Sequence, residues 1–290
     1  MNKIKIFVDL TRLNKPIGYM LLFWPCSWGL TFGYSSSISL QTYFFFLFLF
    51  LCGSILMRSA GCIFNDIVDK DLDLKVSRTK SRPIPAKKIS VIESFFYVCL
   101  LCSFAFFILI QFNTLTIFLG LASMLLAFSY PFMKRITYWP QLFLGITFNW
   151  GAVMAWAAIN NDISTEIMIL YFGAIFWTLG YDTIYGAQDM IDDEIIGIKS
   201  TAIKFKSNIK VFVSICYAIT SLCFIYIFFE KLSLDLFTFF FCFFMGSLLL
   251  QLKIINFKNP KSCLKTFRLN NFSGLLLFIS LTFYSNLLNI

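Results

Sequence analysis

The stretch of sequence that decides the fold covers residues 61–83 and reads GCIFNDIVDKDLDLKVSRTKSRP. It overlaps the end of an apolar segment, residues 43–62, whose length is typical of a membrane-spanning helix. On such a helix, Asp66, Asp69 and Asp73 fall within roughly 60° of one another. Carboxylates at the edge of hydrocarbon are costly unless a cation lies among them. The stretch therefore predicts a divalent-cation site at the end of a membrane-spanning helix.

A second stretch, residues 181–193, reads YDTIYGAQDMIDD and repeats this arrangement. It also ends an apolar segment and leads into a basic one, residues 199–210. If the helix continues through it, Asp182, Asp189 and Asp193 fall within about 40° of each other. Mg²⁺ prefers oxygen ligands and often shares them with substrate phosphates. One such run is typical of a charge cluster beside a membrane, but two favour a paired Mg²⁺ site facing one cavity.

The composition is that of a polytopic membrane protein. The chain has 290 residues, of which 59% are hydrophobic and 13% charged, and its mean hydropathy is +0.78. Soluble domains are far more polar, so that class is excluded. We therefore expect an all-α fold of nine transmembrane helices that forms a single domain over residues 1–290. The nine spans are predicted near residues 17–36, 41–64, 91–111, 114–133, 140–159, 165–185, 209–229, 234–254 and 270–289.

The basic residues lie mostly on one side of the predicted membrane. Of 24 Lys and Arg, 22 fall in the N-terminal segment and in alternate loops, while Arg58 lies within a span and Lys231 in an opposite loop. The positive-inside rule then places the N-terminus and both acidic stretches on the cytoplasmic side and the C-terminus outside. The same distribution argues that the net charge of +9 serves membrane topology and not nucleic-acid binding. Residues 1–15 alternate cationic and apolar side chains and predict a short interfacial helix.

The absence of histidine limits the chemistry of the chain. It excludes a histidine-liganded zinc site, a histidine general base and a histidine-ligated haem. Phosphate binding remains open to basic residues, and Arg78, Lys80 and Arg82 directly follow the first acidic stretch. Retention of positive charge at the cytoplasmic face explains some of these residues, but not their closeness to an acidic site. We therefore predict that at least one of them binds phosphate.

Both acidic stretches resemble the signature motifs of the UbiA-type intramembrane prenyltransferases, and in particular of their 4-hydroxybenzoate branch. Residues 65–73 resemble the motif N-D-x-x-D-x-x-x-D, and residues 182–193 resemble D-x-x-Y-x-x-x-D-x-x-D-D. The strings NKPIG at 14–18, RTKSRP at 78–83, YPFMKR at 130–135 and GIKST at 197–201 also resemble this branch. The departures are small: Gly186 stands where the family usually has alanine, and Met190 and Ile191 stand where charged residues are common.

This resemblance implies a bundle around one central cavity and a Mg²⁺-dependent transfer reaction in a bacterial cytoplasmic membrane. A polyprenyl group from polyprenyl diphosphate would join the ring carbon ortho to the hydroxyl of 4-hydroxybenzoate, a step of ubiquinone biosynthesis. The ring would attack an allylic cation that apolar walls shield from water. The metal ligands implied are the six carboxylates of the two motifs: Asp66, Asp69, Asp73, Asp182, Asp189 and Asp193.

The resemblance also implies roles for other residues. Without histidine, the ring proton would pass to Asp189 or to the diphosphate. Lys134 and Arg135 are expected to neutralise the acceptor's carboxylate, because an unpaired charge in a membrane cavity is costly; anchoring of a helix end is the alternative. The residues expected around the donor's diphosphate are Arg78, Lys80, Arg82, Lys199, Tyr185 and Asn65.

Two alternatives to this function remain at the level of sequence. A related prenyltransferase that uses dihydroxynaphthoate or haem as acceptor would share the fold and the metal site. An acid-lined cation carrier belongs to a different class of protein. Carriers tend to place acids near the midplane on broken helices, whereas these acids lie at predicted cytoplasmic helix ends beside basic loops.

Overall fold

The computed structural model describes residues 3–76 and 79–287, and the regular structure within them is entirely helical. The predicted all-α fold is therefore confirmed. A 3₁₀ turn covers Phe229–Lys231. The α-helices in chain order are α1 (Lys3–Thr11), α2 (Ile17–Phe32), α3 (Leu40–Val68), α4 (Lys70–Asp73), α5 (Val91–Leu109), α6 (Thr114–Ile136), α7 (Pro140–Asn160), α8 (Thr165–Gly186), α9 (Met190–Ile195), α10 (Thr201–Lys204), α11 (Ile209–Phe228), α12 (Leu236–Ile254) and α13 (Pro260–Tyr284).

Seven helices in the described part of the chain are long and apolar enough to cross a bilayer, which confirms a multi-pass membrane protein. They are α3, α5, α6, α7, α8, α11 and α12. Helices α2 and α13 lie where the other two spans are predicted, but α2 has only 16 residues and α13 begins with a charged segment. The count of nine spans therefore stays a prediction.

Short polar side chains cap the start of most of the spanning helices, though not of α7 and α11. The Ser90 hydroxyl accepts a hydrogen bond from the Glu93 backbone N–H at 3.1 Å, and the Glu93 carboxylate accepts one from the Ser90 backbone N–H. Asn113 caps α6 in a similar way, through the backbone N–H of Thr116 at 2.9 Å. Such caps satisfy backbone donors that have no partner within the helix. They fix the helix ends that the apolar runs alone leave imprecise.

Helix α8 lies at the centre of the bundle and is buried along most of its length. It packs against α7 and α11 on two sides and also contacts α2 and α13. The Trp177 ring on α8 is fully buried and packs against Trp28 of α2, with 4.9 Å between ring centroids. Phe224 of α11 and Phe244 of α12 complete this aromatic core. The position of α8 matters for the site because α8 carries the second acidic motif.

A buried hydrogen-bond network ties α13 to its neighbours. Trp177 Nε1 donates to Asn270 Oδ1 at 2.9 Å, and Asn270 Nδ2 donates to Gln251 Oε1 at 2.9 Å. Tyr217 OH donates to the same Gln251 oxygen at 2.8 Å, and Gln251 Nε2 donates to Ser273 Oγ at 3.1 Å. Because hydrocarbon offers no water as a substitute partner, such groups must be satisfied within the protein. The network therefore links four helices around the aromatic core.

The two acidic motifs differ in backbone structure. In the first, helical hydrogen bonds continue past the end of α3, from Asp69 N–H to Asn65 O at 2.9 Å and from Asp73 N–H to Asp69 O at 2.8 Å. In the second, α8 ends at Gly186, and Asp189 N–H bonds to Gly186 O at 3.3 Å, which is a tighter turn. The assumption of one continuous helix through residues 182–193 is therefore wrong, because a turn separates α8 from α9.

Candidate active site

Both acidic motifs line one cavity of about 1240 Å³ inside the bundle. The cavity is somewhat larger than the usual small-molecule pocket of about 300–1,000 Å³. Its polar end lies at the helix ends that carry the motifs, and apolar residues of α3, α5, α6 and α7 line the rest. The motif residues that line it are Asn65, Asp69, Asp73, Asp182, Tyr185, Asp189 and Asp193. The prediction that the two motifs face a single cavity is thus confirmed.

Asp66 is buried and does not line the cavity. Its Oδ1 accepts hydrogen bonds from Arg12 Nη2 at 2.5 Å and from Arg82 Nη1 at 3.0 Å. The same Arg82 nitrogen donates to Asp73 Oδ2 at 2.7 Å. Burial raises the pKa of Asp73 above its ordinary value, and the ion pair with Arg82 offsets only part of this rise. Asp66 therefore positions two guanidinium groups beside the cavity.

Asp69 is fully buried at the wall of the cavity and pairs with the end of α6. Lys134 Nζ forms a short ion pair with Asp69 Oδ2, and Arg135 Nη2 lies 3.4 Å from Asp69 Oδ1. The Arg135 group also donates to the backbone oxygen of Val68 at 2.6 Å. Charge-assisted hydrogen bonds of this kind are among the stronger ones in proteins. They fix α6 against the end of α3, at the point where the first motif begins to turn.

The second motif faces the first from the end of α8. Asp182 and Tyr185 lie on its last two turns, while Asp189 and Asp193 follow in the turn and in α9. The Tyr185 ring packs against Phe267 of α13, with 4.6 Å between centroids. The backbone N–H of Lys199 donates to Lys134 O at 2.9 Å and so links the segment after α9 to the end of α6. The two motifs are thereby joined around the polar end of the cavity.

Among the described residues the acids do not converge on a ready metal cluster, so the metal ligands stay a prediction. Within residues 3–76 and 79–287, no group of three carboxylate or cysteine side chains is close enough to hold a metal ion. Arg82 lies between Asp66 and Asp73 and pairs with both, while Lys134 pairs with Asp69. The donor set nevertheless fits Mg²⁺, which is usually held by one or two carboxylates together with substrate phosphates. Carboxylates from both sides of one cavity provide such a set.

The structure brings only some of the predicted cations to the cavity. Arg82 and Lys134 line it. Lys80 is exposed outside it, and Lys199 donates to the backbone oxygen of Ile136 at 3.1 Å. Arg135 does not line the cavity; it contacts Asp69 of the first motif, and its side chain is 44% exposed. Arg78 lies outside the described residues.

Five further cations line the cavity, and no role in the site is predicted for them from the sequence: Arg12, Lys15, Arg58, Lys88 and Arg268. Arg12 follows α1 and reaches Asp66, which is distant in sequence. Arg58 lies within α3, and its guanidinium carbon is 5.6 Å from the ring centroid of Phe148. Its Nε is buried and has no hydrogen-bond partner among the described residues. An arginine inside an apolar span is itself a signal of a functional site, and this signal would have identified Arg58.

Comparison with known proteins assigns the chain to a family. The sequence model of the UbiA prenyltransferase family matches residues 22–281, which is most of the chain. The chain belongs to the UbiA prenyltransferase family. Among its relatives, the mitochondrial 4-hydroxybenzoate polyprenyltransferase of Rattus norvegicus is 46% identical over 209 residues, and that of Arabidopsis thaliana is 44% identical over 213 residues. These alignments cover 72% and 73% of this UbiA family member but only 55% and 52% of the two relatives, so the chain spans about half of their length.

Solved structures of UbiA homologues show the same fold. The apo structure of a homologue from Aeropyrum pernix K1 has a TM-score of 0.75 at 21% identity and covers 94% of this chain and 98% of that one. A homologue from Archaeoglobus fulgidus bound to GPP and Mg²⁺ has a TM-score of 0.72 at 18% identity, with coverage of 97% and 99%. At these identities the likeness concerns the fold. The intramembrane UbiA architecture expected from the two motifs is therefore confirmed.

Proposed function

We propose that this chain transfers a polyprenyl group from polyprenyl diphosphate to 4-hydroxybenzoate, in the step that serves ubiquinone biosynthesis. The observation that carries the proposal is a single cavity with two acidic motifs and basic residues at one end and apolar walls at the other. This arrangement suits a substrate with a diphosphate head and a hydrocarbon tail. The relatives named for this activity, at 44–46% identity, support the choice of acceptor.

The diphosphate of the donor would bind at the polar end of the cavity. Arg82 and Lys134 are placed to contact its oxygens once the carboxylates have moved to a metal ion. Arg78 is proposed to join them. Bound Mg²⁺ would neutralise charge on the leaving diphosphate and so favour breakage of the C–O bond. The residues proposed to hold it are Asp69, Asp73, Asp182, Asp189 and Asp193, with Asn65 beside them. Asp66, which the motif also implied as a ligand, is left out because it pairs with Arg12 and Arg82 outside the cavity lining.

The carboxylate of the acceptor requires a cation inside the cavity, and Arg58 fits this role better than Arg135. Arg58 lines the cavity, and its buried Nε has no partner in the described part of the chain, whereas Arg135 lies outside the lining. The Phe148 ring beside Arg58 offers a surface on which an aromatic acid can pack. Lys134 lies beside Asp69 at the donor end and is assigned to the diphosphate. We therefore place the acceptor between Arg58 and the two motifs.

The transfer itself needs little beyond positioning and shielding. The C–O bond of the donor breaks, diphosphate leaves with the electron pair, and an allylic cation remains within the apolar part of the cavity. The ring carbon ortho to the hydroxyl then attacks this cation and forms the new C–C bond. The ring proton passes to Asp189 or to the departing diphosphate, and aromaticity returns. Exclusion of water by the apolar walls protects the cation from hydrolysis.

The alternatives differ from this proposal in one property each. A dihydroxynaphthoate or haem prenyltransferase would use the same donor site with another acceptor. A cation carrier would need its acids along a transport path, but the first-motif acids are held by ion pairs at the ends of helices. The carrier is therefore disfavoured by the structure.

The proposed location is a bacterial cytoplasmic membrane, with the N-terminus and the active site on the cytoplasmic side and the C-terminus outside. The distribution of basic residues supports this orientation. The relatives from Rattus norvegicus and Arabidopsis thaliana are named as mitochondrial proteins. In a bacterial or a mitochondrial membrane alike, the substrates would be the lipid-soluble donor and a water-soluble aromatic acid.

The deciding experiment reconstitutes the purified protein in lipid vesicles with octaprenyl diphosphate and Mg²⁺. We expect prenylated product with 4-hydroxybenzoate, little or none with dihydroxynaphthoate or haem, and loss of turnover when a chelator removes Mg²⁺. Product formation with dihydroxynaphthoate alone would refute 4-hydroxybenzoate as the acceptor but would leave the proposed donor site unchanged. Full activity in excess chelator would refute the metal assignment.

A further inference from the structure

The segment from the end of α12 into α13, residues 253–268, carries a strong positive charge. It contains no aspartate or glutamate and five basic residues: Lys253, Lys258, Lys261, Lys265 and Arg268. All five are exposed, and none forms an ion pair with another described residue. At the acidic motifs, by contrast, Arg82 and Lys134 pair with carboxylates. The positive charge of residues 253–268 is therefore not balanced within the described part of the protein.

Three of these cations form one stripe on α13. Lys261, Lys265 and Arg268 are spaced four and three residues apart, so they lie on one face of the helix. They line a groove of about 380 Å³, and the described residues that line it all belong to α13. The other lining residues are Leu264, Leu269, Asn271 and Phe272. Because no described carboxylate is among them, the groove suits an anion.

The same face of α13 becomes apolar one turn further along the helix. Phe272, at the end of the groove, is 54% exposed, and Leu275 follows it on the same face at 36%. Both residues lie in a segment that is predicted to span the membrane, where exposed apolar side chains contact acyl chains. The face thus places cations at the membrane edge and apolar side chains next to hydrocarbon.

An amphiphile with a phosphate head matches this face, and the donor set of the groove indicates which kind. A prenyl diphosphate is bound together with Mg²⁺, which requires carboxylates such as those of the two acidic motifs. The groove offers cations without carboxylates. It therefore suits a phosphate that carries one negative charge and needs no metal, as in the phosphodiester of an anionic phospholipid. Clusters of lysine and arginine beside a membrane attract such headgroups.

We propose that an anionic phospholipid binds this groove, with its headgroup at Lys261, Lys265 and Arg268 and an acyl chain along Phe272 and Leu275. The lipid is not consumed, and its site is separate from the site of the proposed transfer reaction. Arg268 also lines the large cavity, whereas the two lysines do not. Variants of the two lysines therefore test the lipid site without altering the proposed donor and acceptor sites.

The test follows thermal unfolding of the purified full chain in detergent with added lipid. Lys261→Gln/Lys265→Gln removes two cations from the groove. The control Lys87→Gln/Lys210→Gln removes two exposed cations that line neither the groove nor the large cavity, so both variants have the same net charge. We expect dioleoylphosphatidylglycerol to raise Tm of the wild type and the control by about 3 °C or more, and dioleoylphosphatidylcholine to change it by less than about 1 °C. In the groove variant the apparent Kd for dioleoylphosphatidylglycerol should rise about 30-fold, or about fivefold for each lysine.

Further outcomes separate the lipid from other anions. Lys261→Arg/Lys265→Arg keeps both charges and should retain the stabilisation by dioleoylphosphatidylglycerol. Equal weakening in the groove and control variants would overturn the site, because general surface charge would then explain the binding. If inorganic phosphate stabilises the wild type as much as the lipid does, and the groove variant loses this effect, the ligand is a soluble anion. If octaprenyl diphosphate, and not dioleoylphosphatidylglycerol, loses its effect in the groove variant, the groove binds the donor. Either result overturns the phospholipid and leaves the proposed transfer reaction unchanged.

Discussion

Asp66 and Asp69 are three residues apart, yet their surroundings give them different roles. Asp69 lines the cavity, while Asp66 is buried behind the wall between Arg12 and Arg82. Both match conspicuous positions of the acidic motif, so sequence alone could not separate a residue that faces the substrate from one that positions its neighbours. The partner Arg12 is too distant in the chain for spacing to reveal it.

The first prediction uses this difference. Asp69→Asn should lower kcat by about 100-fold or more, because the charge that faces the diphosphate and its metal is lost. Asp66→Asn should instead lower the free energy of unfolding by about 1.5–3 kcal/mol, since two guanidinium groups lose a charged partner. Turnover in vesicles and thermal unfolding measure the two effects.

The exposed Asp71 serves as the control, and Asp71→Asn should leave both measurements near the wild type. An Asp69→Asn variant that retains full turnover would contradict the placement of the metal and diphosphate at the first motif.

The second prediction concerns the acceptor. Arg58→Ala should raise KM for 4-hydroxybenzoate by about 30–150-fold, which corresponds to loss of a charged hydrogen bond of about 2–3 kcal/mol. KM for the donor should change little. Arg58→Lys should recover only part of the loss, because a point charge does not reproduce the planar guanidinium. Steady-state kinetics with each substrate varied in turn provide the measurement.

Arg135→Ala is the comparison for this prediction. Because Arg135 contacts Val68 O and Asp69 outside the cavity lining, its removal should affect both substrates to a similar, smaller extent. The opposite result would be a large rise in KM for 4-hydroxybenzoate alone in Arg135→Ala and no rise in Arg58→Ala. It would indicate that the acceptor binds at the end of α6.

At the scale of helices, α2 and α7 approach each other closely at Gly29. A Cβ on Gly29 would overlap the backbone oxygen of Ala152. Backbone cannot move aside as a flexible side chain can, so the two helices would have to separate. Their contact also holds α7 next to α8, which carries the second motif.

The third prediction follows from this contact. Gly29→Ala should lower the free energy of unfolding by about 1–3 kcal/mol, the usual cost of overpacking. Gly246→Ala is the matched control within α12, since nothing lies within 4 Å of the Cβ it adds. That variant should be neutral or more stable by about 0.5–1 kcal/mol, because alanine favours helix over glycine. Equal destabilisation of both variants in thermal unfolding would contradict the tight α2–α7 contact.

Sequence patterns predicted the helices far better than the site. Apolar runs located the spanning helices, because hydrophobic length is nearly the only requirement for crossing a membrane. The turn between α8 and α9 was missed although Gly186, where α8 ends, is a residue type that often marks the end of a helix. The contacts of Arg58 depend on the rotation of α3 against α7, which no local pattern specifies. For the same reason, Lys80 and Lys199 were expected at the cavity but lie away from it.

At the scale of the whole molecule, the fourth prediction tests orientation in the membrane. In a variant without native cysteines, single cysteines at Lys87 and Lys261 should react with a membrane-impermeant reagent from the cytoplasmic side. Cysteines at Ser37 and Asn161 should react only from the other side. All four positions are exposed, so access to the reagent depends on sidedness alone. The opposite labelling pattern would place the acidic motifs on the wrong face of the membrane.

The buried position of α8 also affects how the chain enters the membrane during synthesis. Helix α8 has the lowest mean hydropathy of the seven spans, 1.4, and 72% of its most apolar 18-residue segment is buried inside the protein. For α5 the mean hydropathy is 2.2 and the buried share is 17%. A helix must be apolar only on the surface that contacts lipid, so a helix enclosed by protein can carry more polar residues. Such a segment partitions weakly from the translocon by itself. We expect nascent chains truncated after Gly186 to integrate α8 incompletely, and chains extended through α11 to integrate it fully, as judged by glycosylation sites placed beyond each end.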